Sequence, residues 1–205
     1  MQAQRVALAV SNRLRAMAFA LTPEAEKIVA ELLSHYPTKR AACLPVLHLC
    51  QRQHGWISAE VIDYVARRLQ LATSEVLGVV TFYTMYHQQP VAPNVVWVCR
   101  TLSCELRGAR AIQSHLEQRF GCGVNGTSRD KKFTLKTAEC LAACGAAPMV
   151  QINDHFYEDL TIEKLDRILD EIAAKTKAAV SAPPAAAQSL TPPPASGRPL
   201  TTKPG

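Results

Sequence analysis

Apolar residues recur at three- and four-residue steps over the first part of the chain, then gather into short continuous runs after residue 90. Thr22 followed by Pro23, Glu24 and Glu26 reads as a helix start. A side-chain acceptor, a ring-fixed first residue and early acids all suit the unpaired amides there. Ile28, Val29, Leu32 and Leu33 then share one face. Ala41 to His54 predicts a second helix whose start tolerates Pro45 and whose end is Gly55. Ser58 caps a third, with Val61, Ile62, Val65 and Leu69 on its buried stripe. Thr73 or Ser74 opens a fourth, running through Val76, Val79, Val80 and Tyr83. Short helices joined by short loops predict a small helical bundle over 22–90.

Beyond Pro90 and Pro93 the period changes. Val95-Val96-Trp97-Val98 is a β-branched run that predicts a buried strand delivering Cys99. A helix is expected from Gly108 to Phe120, with Ala111, Ile112, Leu116 and Phe120 inward, and a loop from Gly121 to Gly126. Phe133 to Thr137 predicts a second strand, which delivers Cys140. Met149 to Ile152 predicts a third, turning at Asn153-Asp154. A last helix from Thr161 turns Ile162, Leu165, Ile168, Leu169 and Ile172 inward. Helices mixed with strands over 91–175 predict a compact α/β domain with a small sheet, so the fold class is α+β.

Composition narrows the function. With 48% hydrophobic and 20% charged residues the chain can bury a core. No run of about 18 apolar residues exists, which argues against direct membrane insertion by a spanning helix. The net charge of +6 comes from the ends. Arg5, Arg13 and Arg15 in 1–21 and Lys177, Arg198 and Lys203 in 176–205 have no acid near them. The 17 basic and 17 acidic residues of 22–175 cancel. A nucleic-acid partner is not expected, since its binding face would be basic on the folded body. Residues 1–21 have the composition of a mitochondrial presequence or of a bacterial extension. Residues 176–205, rich in Pro, Ala, Ser and Thr, are expected to be a disordered tail.

Seven cysteines, an odd number without an evident signal peptide, indicate a reducing compartment in which clustered thiols serve metal or redox chemistry. Four of them form two pairs, Cys99-x4-Cys104 and Cys140-x3-Cys144, separated by 35 residues. Each pair follows a predicted strand. A [2Fe–2S] cluster needs four thiolates, two on each iron. Gly108 and Gly145 are expected to let amides approach sulfur, and Arg100 and Arg107 to favour thiolate. Structural zinc and incidental buried thiols are the rival readings, although neither pair has the tight C-x2-C knuckle of zinc sites. Cys43 and Cys50, seven apart in an apolar helix, read as core. Cys122 in its Gly-rich loop reads as a bystander, with a replacement ligand or redox-sensitive thiol as the alternative. No Gly-rich phosphate loop is present, so the chain is not expected to bind NADH or flavin by itself. Phe82, Tyr83 and Tyr86 read as core or as a docking face, as does Trp56.

At these residues the sequence resembles a known family, the thioredoxin-like [2Fe–2S] subunits of NADH-quinone oxidoreductase, respiratory complex I. Cys99-Arg-Thr-Leu-Ser-Cys104-Glu-Leu-Arg-Gly108 is similar to that family's first ligand loop. Glu139-Cys140-Leu-Ala-Ala-Cys144-Gly-Ala-Ala-Pro148 to Asp154 is similar to the second, and Tyr157 to Thr161 continues it. Gln51 to Ile57 and Val80 to Tyr86 resemble its helical half. The resemblance implies a thioredoxin-like domain over 91–175 and a [2Fe–2S] cluster held by Cys99, Cys104, Cys140 and Cys144. It also implies partners: a subunit that binds FMN and NADH, and other subunits of the complex I peripheral arm. The implied location is peripheral, on the cytoplasmic side of the bacterial inner membrane or the matrix side of the mitochondrial one. Similar subunits serve NAD-linked hydrogenases and formate dehydrogenases. Ala142 departs from the family, which usually has glycine there.

Overall fold

The computed structural model describes residues 19–180. The first helix, α1, spans Pro23–His35, and the Thr22 hydroxyl accepts the Ala25 amide at 3.2 Å as expected of the cap. The second predicted helix divides in two. A 3-10 turn over Lys39–Ala42 is capped by Thr38, and α2 runs Cys43–His54 to a left-handed Gly55 at φ 89°. Pro45 then sits in the first turn of α2, where its missing N–H costs nothing. Helix α3 spans Ala59–Leu69 with Ser58 as its cap. Helix α4 spans Thr73–Phe82, and its cap is Ala72 rather than Thr73 or Ser74, because Glu75 reaches back to the Ala72 amide at 3.0 Å.

The helical half closes around Val29, Val46, Leu47, Val61, Val65 and Leu69, all buried. Burial of each such side chain stabilises by about 1.5–3 kcal/mol before entropy is counted. Arg68 and the Tyr64 hydroxyl both bind Glu26, tying α3 to α1. Two residues assigned by composition to the N-terminal extension also belong to this body. Leu21 is buried, and Phe19 packs edge-on against Tyr64 at 5.3 Å. The expectations for residues 1–18 lie outside the described residues, as do those for 181–205.

The second half is a four-stranded sheet in the order β2-β1-β3-β4, with β1 at Asn94–Cys99, β2 at Phe133–Ala138, β3 at Val150–Ile152 and β4 at His155–Tyr157. β1 and β2 are parallel; β3 joins β1, and β4 joins β3, antiparallel. Between β1 and β2 lie α5 (Leu102–Leu106) and α6 (Ala109–Phe120). The last helix, α7, spans Ile162–Val180 and so continues past residue 175, where composition ends the domain. Val96, Val98, Leu135, Val150 and Ile152 pack with Ile112, Leu116, Leu165 and Leu169 in a second core.

His87 joins the halves. Its amide donates to Gln51 and its carbonyl accepts from Ile57, both at 2.7 Å, while its ring stacks on Trp97 of β1 at 6.3 Å. Lys136 of β2 lies 3.3 Å from His87 Nδ1 and over the same indole. Burial, and Lys136 after it, lower the His87 pKa to about 4.

Candidate metal centre

Cys99 is the last residue of β1, and its register partner is Ala138, the last residue of β2. Parallel pairing therefore makes both strands release their loops at the same end of the sheet. The first loop turns at once into α5, which carries Cys104 as its third residue. Cys99 and Cys104 are both buried, and their sulfur groups hydrogen-bond each other. Burial, and then that bond, push the Cys104 thiol up to about 11, while the Met149 amide works in the opposite direction. Without metal this sulfur is a thiol, so ligation there releases a proton.

The second loop is more open. Cys140 and Cys144 are exposed, and Cys144 begins a 3-10 turn, Cys144–Ala146, that packs against α5. A cleft of about 640 Å³ between the helical half and the open sheet face, lined by His48, Arg52, Trp97 and Glu139, reaches Cys140. The Cys140 sulfur accepts the Ala142 amide at 3.3 Å. That amide, with Met149's, takes the place expected of the glycines. The Gly108 amide instead bonds Glu105, and Gly108 serves the bend between α5 and α6 at φ 102°. The expected electrostatic help is also offset, since Arg100 pairs with Glu139 and Arg107 lies 3.9 Å from Asp159.

The donor set separates the two metal readings. A structural zinc needs four donors directed at one point. Among the described residues no three His, Cys, Asp or Glu side chains gather in that way. A [2Fe–2S] cluster asks only for two thiolates on each iron, which suits two separate pairs at one end of a sheet. The structure joins Cys99 to Cys104 and brings Cys144 into electrostatic range of them; Cys140 is turned to its own loop. All seven cysteines are free.

The remaining thiols are elsewhere. Cys43 and Cys50 are buried on α2, and burial raises Cys50 to about 12. Cys122 follows α6, whose twelve residues separate it from the Cys104 end by about 18 Å at the usual helical rise. Of the aromatic candidates, Tyr86 is buried with its hydroxyl on the Leu44 carbonyl, whereas Phe82 is 77% exposed. The sequence reading missed Leu102 and Leu106, 71% and 78% exposed on α5. Their only signal was a pair of leucines four apart beside a cysteine.

A family model of the thioredoxin-like [2Fe–2S] ferredoxins matches residues 29–173. The chain belongs to that family. A thioredoxin-like [2Fe–2S] ferredoxin carries a [2Fe–2S] cluster, and the paired thiols of this one fit it. An NADH-quinone oxidoreductase subunit of Rickettsia bellii is 42% identical over 148 residues, covering 71% of this chain and 89% of the relative. Flavoprotein 2 of the mitochondrial NADH dehydrogenase of Dictyostelium discoideum is 41% identical over 157 residues, 75% of this chain and 64% of that one. An NAD+-reducing [NiFe]-hydrogenase in its air-oxidized state has a similar fold, with a TM-score of 0.57 at 19% identity. The match covers 65% of this ferredoxin and 23% of that chain. Among the described residues no helix is long and apolar enough to cross a membrane.

Proposed function

We propose that this chain is the electron-transfer subunit of an NADH-quinone oxidoreductase, with Cys99, Cys104, Cys140 and Cys144 as the cluster ligands. The observation that carries this reading is the register of β1 and β2, which sends both cysteine-bearing loops out of one end of the sheet. Relatives at about two-fifths identity over most of their length support it. When bound, a [2Fe–2S] cluster supplies one-electron redox chemistry, whereas hydride transfer from NADH delivers two electrons to a flavin. The residues of this chain bind and orient; none is required as acid, base or nucleophile. Residues 22–90 form the helical unit and 91–175 the ligand-bearing unit.

The partner is the FMN- and NADH-binding subunit, within the peripheral arm of the same complex. Leu102 and Leu106 lie on the helix that carries Cys104 and that packs beside Cys144, so a surface covering them also closes the cluster end. With the arginines there already paired, the contact is apolar rather than steered by charge. The assembly sits on the cytoplasmic side of a bacterial inner membrane, as a peripheral part. The test is a reconstitution. The purified chain alone should not oxidise NADH, and adding the flavin subunit should make its visible absorption bleach on NADH addition. NADH oxidation by the chain alone would overturn the assignment.

A further inference from the structure

Ala142 stands at φ +61°, the left-handed region that side chains with a Cβ rarely adopt, and it lies on the exposed loop between Cys140 and Cys144. Its N–H donates to the Cys140 sulfur at 3.3 Å, within the range of an N–H···S bond. Gly145 follows Cys144 on the same loop, but the left-handed position is occupied by an alanine. A residue held in a disfavoured backbone region persists only where its surroundings over-determine it, and such residues cluster at functional sites. Here the twist is what directs the amide back over two residues to the sulfur. Cys140 is exposed, so the bond is not a response to burial.

We propose that Ala142 is a positioning residue, whose left-handed backbone holds its amide on the Cys140 sulfur and thereby raises the reduction potential of the cluster. The inference rests on Cys140 being a ligand. Reduction adds negative charge to the cluster and its sulfurs, and an amide dipole aimed at a ligand sulfur stabilises that charge more in the reduced than in the oxidised form. The buried pair has its own amide at Cys104, from Met149. Each cysteine pair is thus served by one backbone donor, and Ala142 supplies the one for the solvent-facing pair.

Two variants of the full chain separate the amide from the methyl group. Replacing Ala142 by lactate, an ester in the backbone, deletes only the N–H. Ala142→Gly keeps the N–H and deletes the Cβ. The midpoint potential is read by redox titration of the electron paramagnetic resonance signal. The ester chain should take up the cluster and titrate at a lower potential than the unaltered chain, and Ala142→Gly should titrate with the unaltered chain. An unchanged potential in the ester chain, or an equal fall in Ala142→Gly, would overturn the proposal. So would failure of the ester chain to assemble a cluster, since the amide would then serve folding. The unaltered chain in the same titration tests the cluster assignment separately, because a chain with no signal at all fails before Ala142 is at issue.

Discussion

The helical half and the sheet half each hold a pair of cysteines close in sequence, and the pairs have opposite fates. Cys43 and Cys50 lie on one face of α2 inside an apolar bundle, where burial keeps them as thiols and holds Cys50 near 12. Cys99 and Cys104 are just as buried, but they stand where a strand ends and a five-residue helix begins, next to a second loop with two exposed cysteines. Burial alone therefore does not decide what a cysteine does. A helix interior offers no spare amide and no second pair of sulfurs. The ends of parallel strands offer both, because the strand ladder stops there and the loop amides are free to turn inward.

The comparison breaks most directly by exchanging the roles. Cys104→Ser and Cys140→Ser should each abolish the visible absorption of the cluster, while Cys43→Ala and Cys50→Ala keep it. Loss of the absorption on replacing Cys122 with retention in Cys104→Ser would mean the wrong thiols were assigned.

The junction of the halves gives the next effect. His87 has a folded pKa of about 4 against an ordinary value of 6.5, so between those values the unfolded chain binds more protons than the folded one. Its contribution is present above pH 6.5 and is lost as pH falls toward 4. In urea titrations the unaltered chain should lose about 2 kcal/mol more than His87→Gln between pH 7 and pH 4, an order-of-magnitude figure from the shift. Equal losses would show that His87 is not held neutral by the sheet.

Smaller still is the docking contact. Leu106→Glu should leave the melting temperature unchanged, since the side chain is 78% exposed. It should slow NADH-driven reduction through the flavin subunit about tenfold, equivalent to about 1.4 kcal/mol. Cys50→Ala, by contrast, should cost about 1 kcal/mol of stability from lost core packing and leave electron transfer untouched.

How much of this was legible in the sequence follows the length of each element. Helices α1 and α3 carry side-chain caps at Thr22 and Ser58 and several turns of periodic apolar residues, so their starts could be placed. Strand β1 announces itself by its valines. Helix α5 has fewer than two turns, too few for periodicity, although it positions Cys104. Strand β4 is three largely exposed residues, so alternation has nothing to act on. At the site, the four cysteines were visible by spacing. The acids that offset Arg100 and Arg107 lie 39 and 52 positions away and meet them only through the fold. The left-handed twist at Ala142 had no signal, because alanine is not a residue that suggests it.

The central claim is that two cysteine pairs at one end of a sheet hold a one-electron centre. Electron paramagnetic resonance of the purified chain after dithionite reduction tests it most directly. The account predicts a silent oxidised sample and, on reduction, the signal of a [2Fe–2S] cluster that disappears in Cys104→Ser. A chain that stays silent when reduced, with zinc found by elemental analysis and bound in Cys104 dependence, would contradict it.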